Sequence, residues 1–371
     1  MIRRITLINV LFLLTLTLSA QTDSVSVIPN DSIPYKKQNW LKKAYLFADR
    51  ILSPPRDTNY VDTQDQYNWC AELQLSSRFE QFQLDAGDDF NITVTPKWRT
   101  RLGPFFGWRF AFLGYNIDLK SVFASDEDVD LSASVYSAAF GLDLFYRRVG
   151  GNYNIKNLKI KGKDYTPLLH DIPFNGINVG MTRISFYYVL NYKRFSHQAA
   201  YSQSNRQLRS AGSPIIGISY AHNRMGMDWD KFANMVSDIN KIEYTSNTLY
   251  GKQKNDELSF SSGYGYNWVF AKNWLAGAEL SGALGYLLQH TATQSRENSN
   301  EHGNDNIIEQ LTNFSRKNIA FNGTVRLVLL YNNGPWFFGT QGYVFYYQYG
   351  NGTMMTRNTL GALYVYAGFN F

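Results

Sequence analysis

From Trp69 onward, apolar and polar side chains alternate with a period of two in one segment after another, the pattern of strands that carry one apolar face. Trp69, Ala71, Leu73 and Leu75 oppose Cys70, Glu72, Gln74 and Ser76, and Phe90, Ile92, Val94 and Trp98 oppose Asn91, Thr93, Thr95, Lys97 and Arg99. Later, Leu258, Phe260, Tyr264, Tyr266 and Trp268 oppose Glu257, Ser259, Ser261 and Asn267. The alternation predicts twelve strands, near 69–84, 88–102, 105–119, 130–147, 178–192, 194–204, 210–224, 256–270, 273–290, 316–333, 335–349 and 357–371. Short turns at Ala271-Lys272-Asn273 and Asn332-Asn333-Gly334, with long connections Met225 to Asp256 and His290 to Ser315, sort the connections onto two ends. Residues 148–177 break that sorting: the twelve-strand count puts this long stretch on the short-turn side, unless Asn152 to Ile160 adds a strand and a weaker one is misplaced.

In the last segment, Leu363, Val365, Ala367, Phe369 and Phe371 form one face and Tyr364, Tyr366, Gly368 and Asn370 the other. An apolar-alternating strand closed by Phe resembles the C-terminal signal that the barrel-assembly machinery reads in bacterial outer-membrane proteins. Leu363, Val365, Phe369 and Phe371 are its expected carriers. The fold class expected is therefore all-β: a transmembrane, antiparallel, up-and-down β-barrel of about 12 strands, within roughly 10 to 14, with a short N-terminal helical extension.

The beginning of the chain reads differently. Arg3 and Arg4, the apolar run Ile5 to Leu18 and then Ser19-Ala20 have the order of a secretory signal peptide, expected over residues 1–20. Residues 21–66 form an expected periplasmic extension, in which Leu41, Tyr45, Ala48 and Leu52 fall at helical spacing before Pro54 and Pro55. The barrel is expected over 67–371, and a chain begun near Asp62 is expected still to fold. No second run approaches the roughly 20 apolar residues of a spanning helix, so crossing must be by strands.

Composition agrees. Aromatic residues make up 16% of the chain, with 26 Tyr and 25 Phe, while mean hydropathy stays at −0.32; interfacial girdles around a polar interior have this balance. Losing Arg3 and Arg4 lowers the formal charge of +6 by two, which is no argument for a nucleic-acid partner. The single cysteine, Cys70, permits no internal disulfide and is expected as a small side chain on the inner face of the first strand. The five histidines stand at no metal-binding spacing, so no metal and no cofactor are expected. A barrel lipase would need a Ser and a His at the lipid boundary; His197 and Ser213 are the nearest pair, and His197 reads better as an interfacial side chain, so the protein is expected not to be an enzyme.

The charges on the expected inner faces are Glu72, Arg78, Glu80, Lys97, Arg99, Arg109, Asp143, Arg147, Arg183, Glu279 and Arg326. Facing a cation outward at mid-bilayer costs about 2–4 kcal/mol, so these residues belong in the lumen. They line an aqueous path or pair into networks that fill the barrel, and about twelve strands leave room for either. The basic excess favours the first: a porin-like channel or binding barrel for a small polar solute, open and anion-preferring, with outer-membrane lipids as surroundings. A structural component with a charge-filled lumen is the second reading and a lipid-modifying enzyme the third.

Three stretches resemble a family of uncharacterised Bacteroidota outer-membrane β-barrels defined only as a domain of unknown function. They are Asp57-Thr58-Asn59-Tyr60-Val61, Leu142-Asp143-Leu144-Phe145-Tyr146 with Gly150-Gly151-Asn152-Tyr153, and Tyr192 to Gly217, where Phe195-Ser196, Gln207 and Ser210-Ala211-Gly212-Ser213 are the most specific. The resemblance implies a barrel in the outer membrane of a Gram-negative bacterium and implies no activity.

Overall fold

The computed structural model describes residues 54–96, 99–108, 111–115, 117–118, 129–150, 153–169, 171–240, 250–294, 318–350 and 355–371. The expected signal peptide and the helix around Leu41 to Leu52 lie outside the described residues. In chain order the strands are β1 (Val61–Asp62), β2 (Trp69–Asp85), β3 (Phe90–Pro96), β4 (Arg99–Trp108), β5 (Ala111–Tyr115), β6 (Ile117–Asp118), β7 (Val129–Tyr136), β8 (Phe140–Gly150) and β9 (Tyr153–Ile160). They continue with β10 (Lys163–Asp164), β11 (Pro173–Phe174), β12 (Ile177–Val189), β13 (Arg206–Gln207), β14 (Ala211–Met227), β15 (Tyr250–Ala271), β16 (Trp274–Gln294), β17 (Ile319–Asn332), β18 (Trp336–Gly350) and β19 (Met355–Asn370). The helices among the described residues are α1 (Thr166–Leu169), α2 (His197–Tyr201) and α3 (Trp229–Asn240).

The wall is a closed antiparallel ring running β2, β4, β5 with β6, β7, β8, β12, β14, β15, β16, β17, β18, β19 and back to β2. Taking β5 and β6 as one interrupted strand, the described residues give the twelve positions expected. Alternation sorts the faces as the sequence implied: on β15, Ser259 is 2% exposed and Phe260 60%. Leu363, Val365, Phe369 and Phe371 all face outward, and Cys70 is buried on the inner face of β2. The seam closes where Trp69 N donates to Phe371 O at 2.9 Å and Phe371 N to Trp69 O at 2.9 Å. Deleting Phe369 to Phe371 should therefore abolish the heat-modifiable barrel in the outer-membrane fraction while export continues. Unheated gel electrophoresis of that fraction checks this, and a normal folded band would refute it.

Four expected strands are corrected. The segment 130–147 is a hairpin, β7 and β8, turning at 137–139. Tyr136 pairs with Gly141, so even positions on one strand face the same way as odd positions on the next; Tyr136 points into the lumen while Leu142 and Leu144 point out. The period of two runs through the turn unbroken and hides it. Likewise 88–102 divides into β3 and β4, and 105–119 holds the turn between β4 and β5. The segment 194–204 is no strand at all but carries α2, because Ser196 to Asn205 has no alternation and its side chains bond to the lumen instead of to lipid. With the extra turn at 137–139, residues 148–177 move to the end opposite the meeting of Trp69 and Asn370, while the long connection 190–210 falls at that meeting end. The ends are termed the turn end, where Trp69 and Asn370 meet, and the loop end.

At the loop end the inner faces become apolar. Phe82 and Leu84 of β2, Val149, Val179, Met225 and Met227 meet a side sheet of β3, β9, β10 and β11 and one face of α3. Trp229, Phe232 and Val236 supply that face at helical spacing, with Phe90 edge-on to Trp229 at 5.1 Å and to Phe232 at 5.5 Å. At about 1.5–3 kcal/mol for each fully buried large side chain, this cap is a permanent part of the core.

Candidate functional site

Between β12 and β14 the chain folds back into the turn end of the lumen as a plug, residues 190–210, and polar groups hold it. Ser196 caps α2, its side chain accepting from Ala199 N at 3.1 Å. Gln207 is the hub: its Oε1 accepts from Ser196 N at 2.9 Å and Asn267 Nδ2 at 3.1 Å, while its Nε2 donates to the carbonyls of Tyr60 at 3.1 Å, Arg194 at 2.6 Å and Arg209 at 2.9 Å. The Gln203 amide meets the Tyr366 hydroxyl at 3.1 Å. β1 pairs with β13, Asp57 N donates to Lys193 O at 2.9 Å, and Arg56 donates to Gln198 Oε1. Burial lowers the Arg56 guanidinium to about 10, which leaves it charged near neutrality. Phe195 lies over Gly265, where a Cβ would stand 2.8 Å from its ring, so only glycine leaves room for the plug there. Two of the stretches that carry the family resemblance, 57–61 and 192–217, thus meet each other as plug and brace.

Above the plug lies a chamber of about 350 Å³. Arg78, Asp143, Arg183, Glu279 and Arg326 line it, with His197 and Tyr201 of α2 as its floor. His197 Nε2 stands 3.0 Å from Glu279 Oε2 and Nδ1 3.1 Å from the Tyr187 hydroxyl. Arg326 lies 3.9 Å from Glu279 Oε1 and 5.7 Å from the Tyr201 ring. Arg183 differs: its guanidinium rests 4.2 Å from the Phe345 ring, and its buried Nε and Nη2 have no hydrogen-bond partner. On the loop side of the chamber the lumen is filled, by the buried bidentate pair of Arg147 with Glu80, by Glu257 accepting from Asn322, and by Met181, Leu287, Phe345 and Tyr347.

Of the expected lumen residues, the fold thus brings Arg78, Asp143, Arg183, Glu279 and Arg326 to one chamber, and buries Glu72 lower on β2, accepting from Gln74. Lys97, the Arg99 side chain and Arg109 lie outside the described residues; the Arg99 backbone pairs with Arg78. Sequence reasoning missed His197 and Tyr187 as chamber residues and gave Gln207 and Glu257 no structural role; the non-alternating polar run Ser196 to Gln207 was the available signal for the plug. His197 and Ser213 form no pair: the Ser213 hydroxyl accepts from Asn191 N at 2.8 Å and donates to Pro214 O at 2.7 Å. Among the described residues no cluster of three His, Cys, Asp or Glu could hold a metal, and no helix is long and apolar enough to cross a membrane.

Residues 55–371 match the family described as a domain of unknown function, DUF4421. The chain belongs to that family. No curated protein matches it. Among solved structures, the outer membrane protease OmpT from Escherichia coli is similar at 6% identity and a TM-score of 0.33, over 84% of this chain and 98% of its own. The translocator domain of autotransporter NalP from Neisseria meningitidis gives 8% and 0.33, over 90% and 98%. The outer membrane protein OprG from Pseudomonas aeruginosa gives 9% and 0.25, over 85% and 99%.

Proposed function

We propose that the protein is an outer-membrane barrel of a Gram-negative, Bacteroidota-type envelope that binds a small polar solute bearing an anionic group in its central chamber. The outward apolar faces of the ring support the membrane placement. Apart from the inward-folded plug, the turn-end connections are short and long connections lie at the other end, which supports placing the turn end in the periplasm. The observation that carries the binding reading is Arg183, a chamber cation with two buried N–H-bearing nitrogens and no acceptor for them. A carboxylate or phosphate would supply the acceptor in bidentate form. With the plug on one side and a filled lumen on the other, the described state is a closed binding barrel, and the solute reaches the chamber when the plug moves. No reaction is proposed, since His197 is held by Glu279 and Tyr187.

The filled loop side also favours a second reading, a structural barrel closed by its own ion pairs. A melting series in micelles against small carboxylates from acetate to citrate separates them. For a binding barrel, one of the series should raise Tm by about 3–5 °C at a hundredfold excess over its Kd, and Arg183→Met should erase that rise. A flat series with silent planar bilayers would favour the structural reading. Sustained ohmic conductance of the wild-type protein would instead restore the open channel.

A further inference from the structure

The outer surface carries a row of cations at the loop end of its apolar rows. Arg148 of β8, Gly180 of β12, Arg224 of β14 and Lys254 of β15 stand directly opposite one another across four adjacent strands. Arg148, Arg224 and Lys254 are all exposed. Two residues toward the turn end, the same face reads Tyr146, Thr182, His222 and Asp256. Two further, it reads Leu144, Ile184, Tyr220 and Leu258, and then Leu142, Phe186, Ile218 and Phe260. At about 3.4 Å per residue the cations therefore sit ~14 Å along the strand from the first fully non-charged row, with tyrosines between, the order of headgroup level, aromatic girdle and hydrocarbon.

Two features of the Arg224 and Lys254 pair point to an anion that comes from outside the chain. Arg224 and Lys254 are paired face to face, an arrangement that is unfavourable by itself. On the β14–β15 side of the row, Asp256 is engaged one row below: its Oδ1 accepts from the Tyr220 hydroxyl at 2.7 Å and bonds His222 Nδ1 at 2.5 Å, while Arg224 Nε donates to His222 Nε2 at 2.6 Å. At the centre of the row Gly180 presents no side chain, and a Cβ there would meet nothing nearer than Arg224 Cβ at 3.7 Å. Arg148 and Arg224 flank that gap, two strand spacings or ~10 Å apart, within reach of one phosphate.

We infer that this row is a binding site for the phosphorylated headgroup of a glycolipid in the outer leaflet, whose acyl chains cover Leu144, Ile184, Phe186 and Phe260 below it. The site rests on the proposed outer-membrane placement and is separate from the chamber.

The test uses purified full-length protein in micelles, with phosphorylated lipid A as the probe, the same glycolipid with its phosphates removed, and inorganic phosphate as competitor; retention through gel filtration is the readout. Wild-type protein should retain the phosphorylated glycolipid in preference to the dephosphorylated one. The triple variant Arg148→Gln, Arg224→Gln, Lys254→Gln should bind it roughly 100-fold more weakly, with Lys272→Gln at the turn end unchanged. Should the triple variant fail to fold, Lys254→Gln alone should weaken binding about fivefold. Equal retention of the two glycolipids, unchanged retention by the variants, or full displacement by inorganic phosphate would overturn the site. In a protein that fractionates with the outer membrane, any of these outcomes sinks the row alone; recovery in another compartment sinks the placement as well.

Discussion

Gln207→Leu should turn Cys70 from an inert thiol into one that a water-soluble maleimide labels some 30- to 100-fold faster. Cys70 is 5% exposed and packs in one cluster with Ala199 and Ala200 of the plug. The Gln207 amide holds five backbone and side-chain partners that tie Ser196, Arg194, Arg209, Tyr60 and Asn267 together. Each hydrogen bond contributes about 0.5–1.5 kcal/mol net, so losing this set should lower the free energy of local opening by roughly 2–3 kcal/mol. The cap at the loop end rests on large buried apolar side chains and stays in place, so the barrel should keep its heat-modifiable mobility while the plug loosens. If labelling of Cys70 is as slow in the folded variant as in the wild type, the plug is not the element that opens the chamber.

The second large effect concerns Glu80. Glu80→Gln should cost about 3–5 kcal/mol of stability, measured as a shift of the urea midpoint in micelles. Glu80 is 5% exposed and takes both ends of the Arg147 guanidinium, with Nη1 donating to Oε1 at 2.9 Å. Arg78 and Arg101 also act electrostatically on this carboxylate, so neutralising it removes a countercharge that three guanidinium groups share. Glu80→Leu combined with Arg147→Met should recover most of the loss, because replacing both members of a buried pair removes the desolvation of two charges together with their attraction. A loss below about 1 kcal/mol for Glu80→Gln would mean that the loop side of the lumen admits enough water to solvate the arginines, and the filled-lumen description would fall with it.

Much of the wall was legible in the residues alone. A strand in lipid must present apolar atoms on every second position and satisfy its backbone through neighbours, so Leu73 and Leu75, Phe260 and Trp268, or Leu363 and Val365 declare their outward side without any knowledge of what they pack against. The same rule sends Glu72, Arg183, Glu279 and Arg326 inward. Hairpin turns were less legible: at Ser137 to Ala139 the alternation continues through the bend, since Tyr136 opposite Gly141 exchanges even positions for odd.

What only the tertiary structure decided is how the lumen is used. Inside a closed ring a polar side chain answers to partners across the barrel, and those partners have no fixed distance along the chain. Glu80 and Arg147 are 67 residues apart, and His197 and Glu279 are 82 apart. The plug has no period to betray it because α2 and its flanks face the lumen on all sides, and Ser196, Gln198, Gln203 and Gln207 make sense only once closure has surrounded them with acceptors and donors. Lipid imposes one requirement on each strand separately, and a sequence records that; pairing across an enclosed space is settled by the ring's geometry, which exists only after the last strand has met the first.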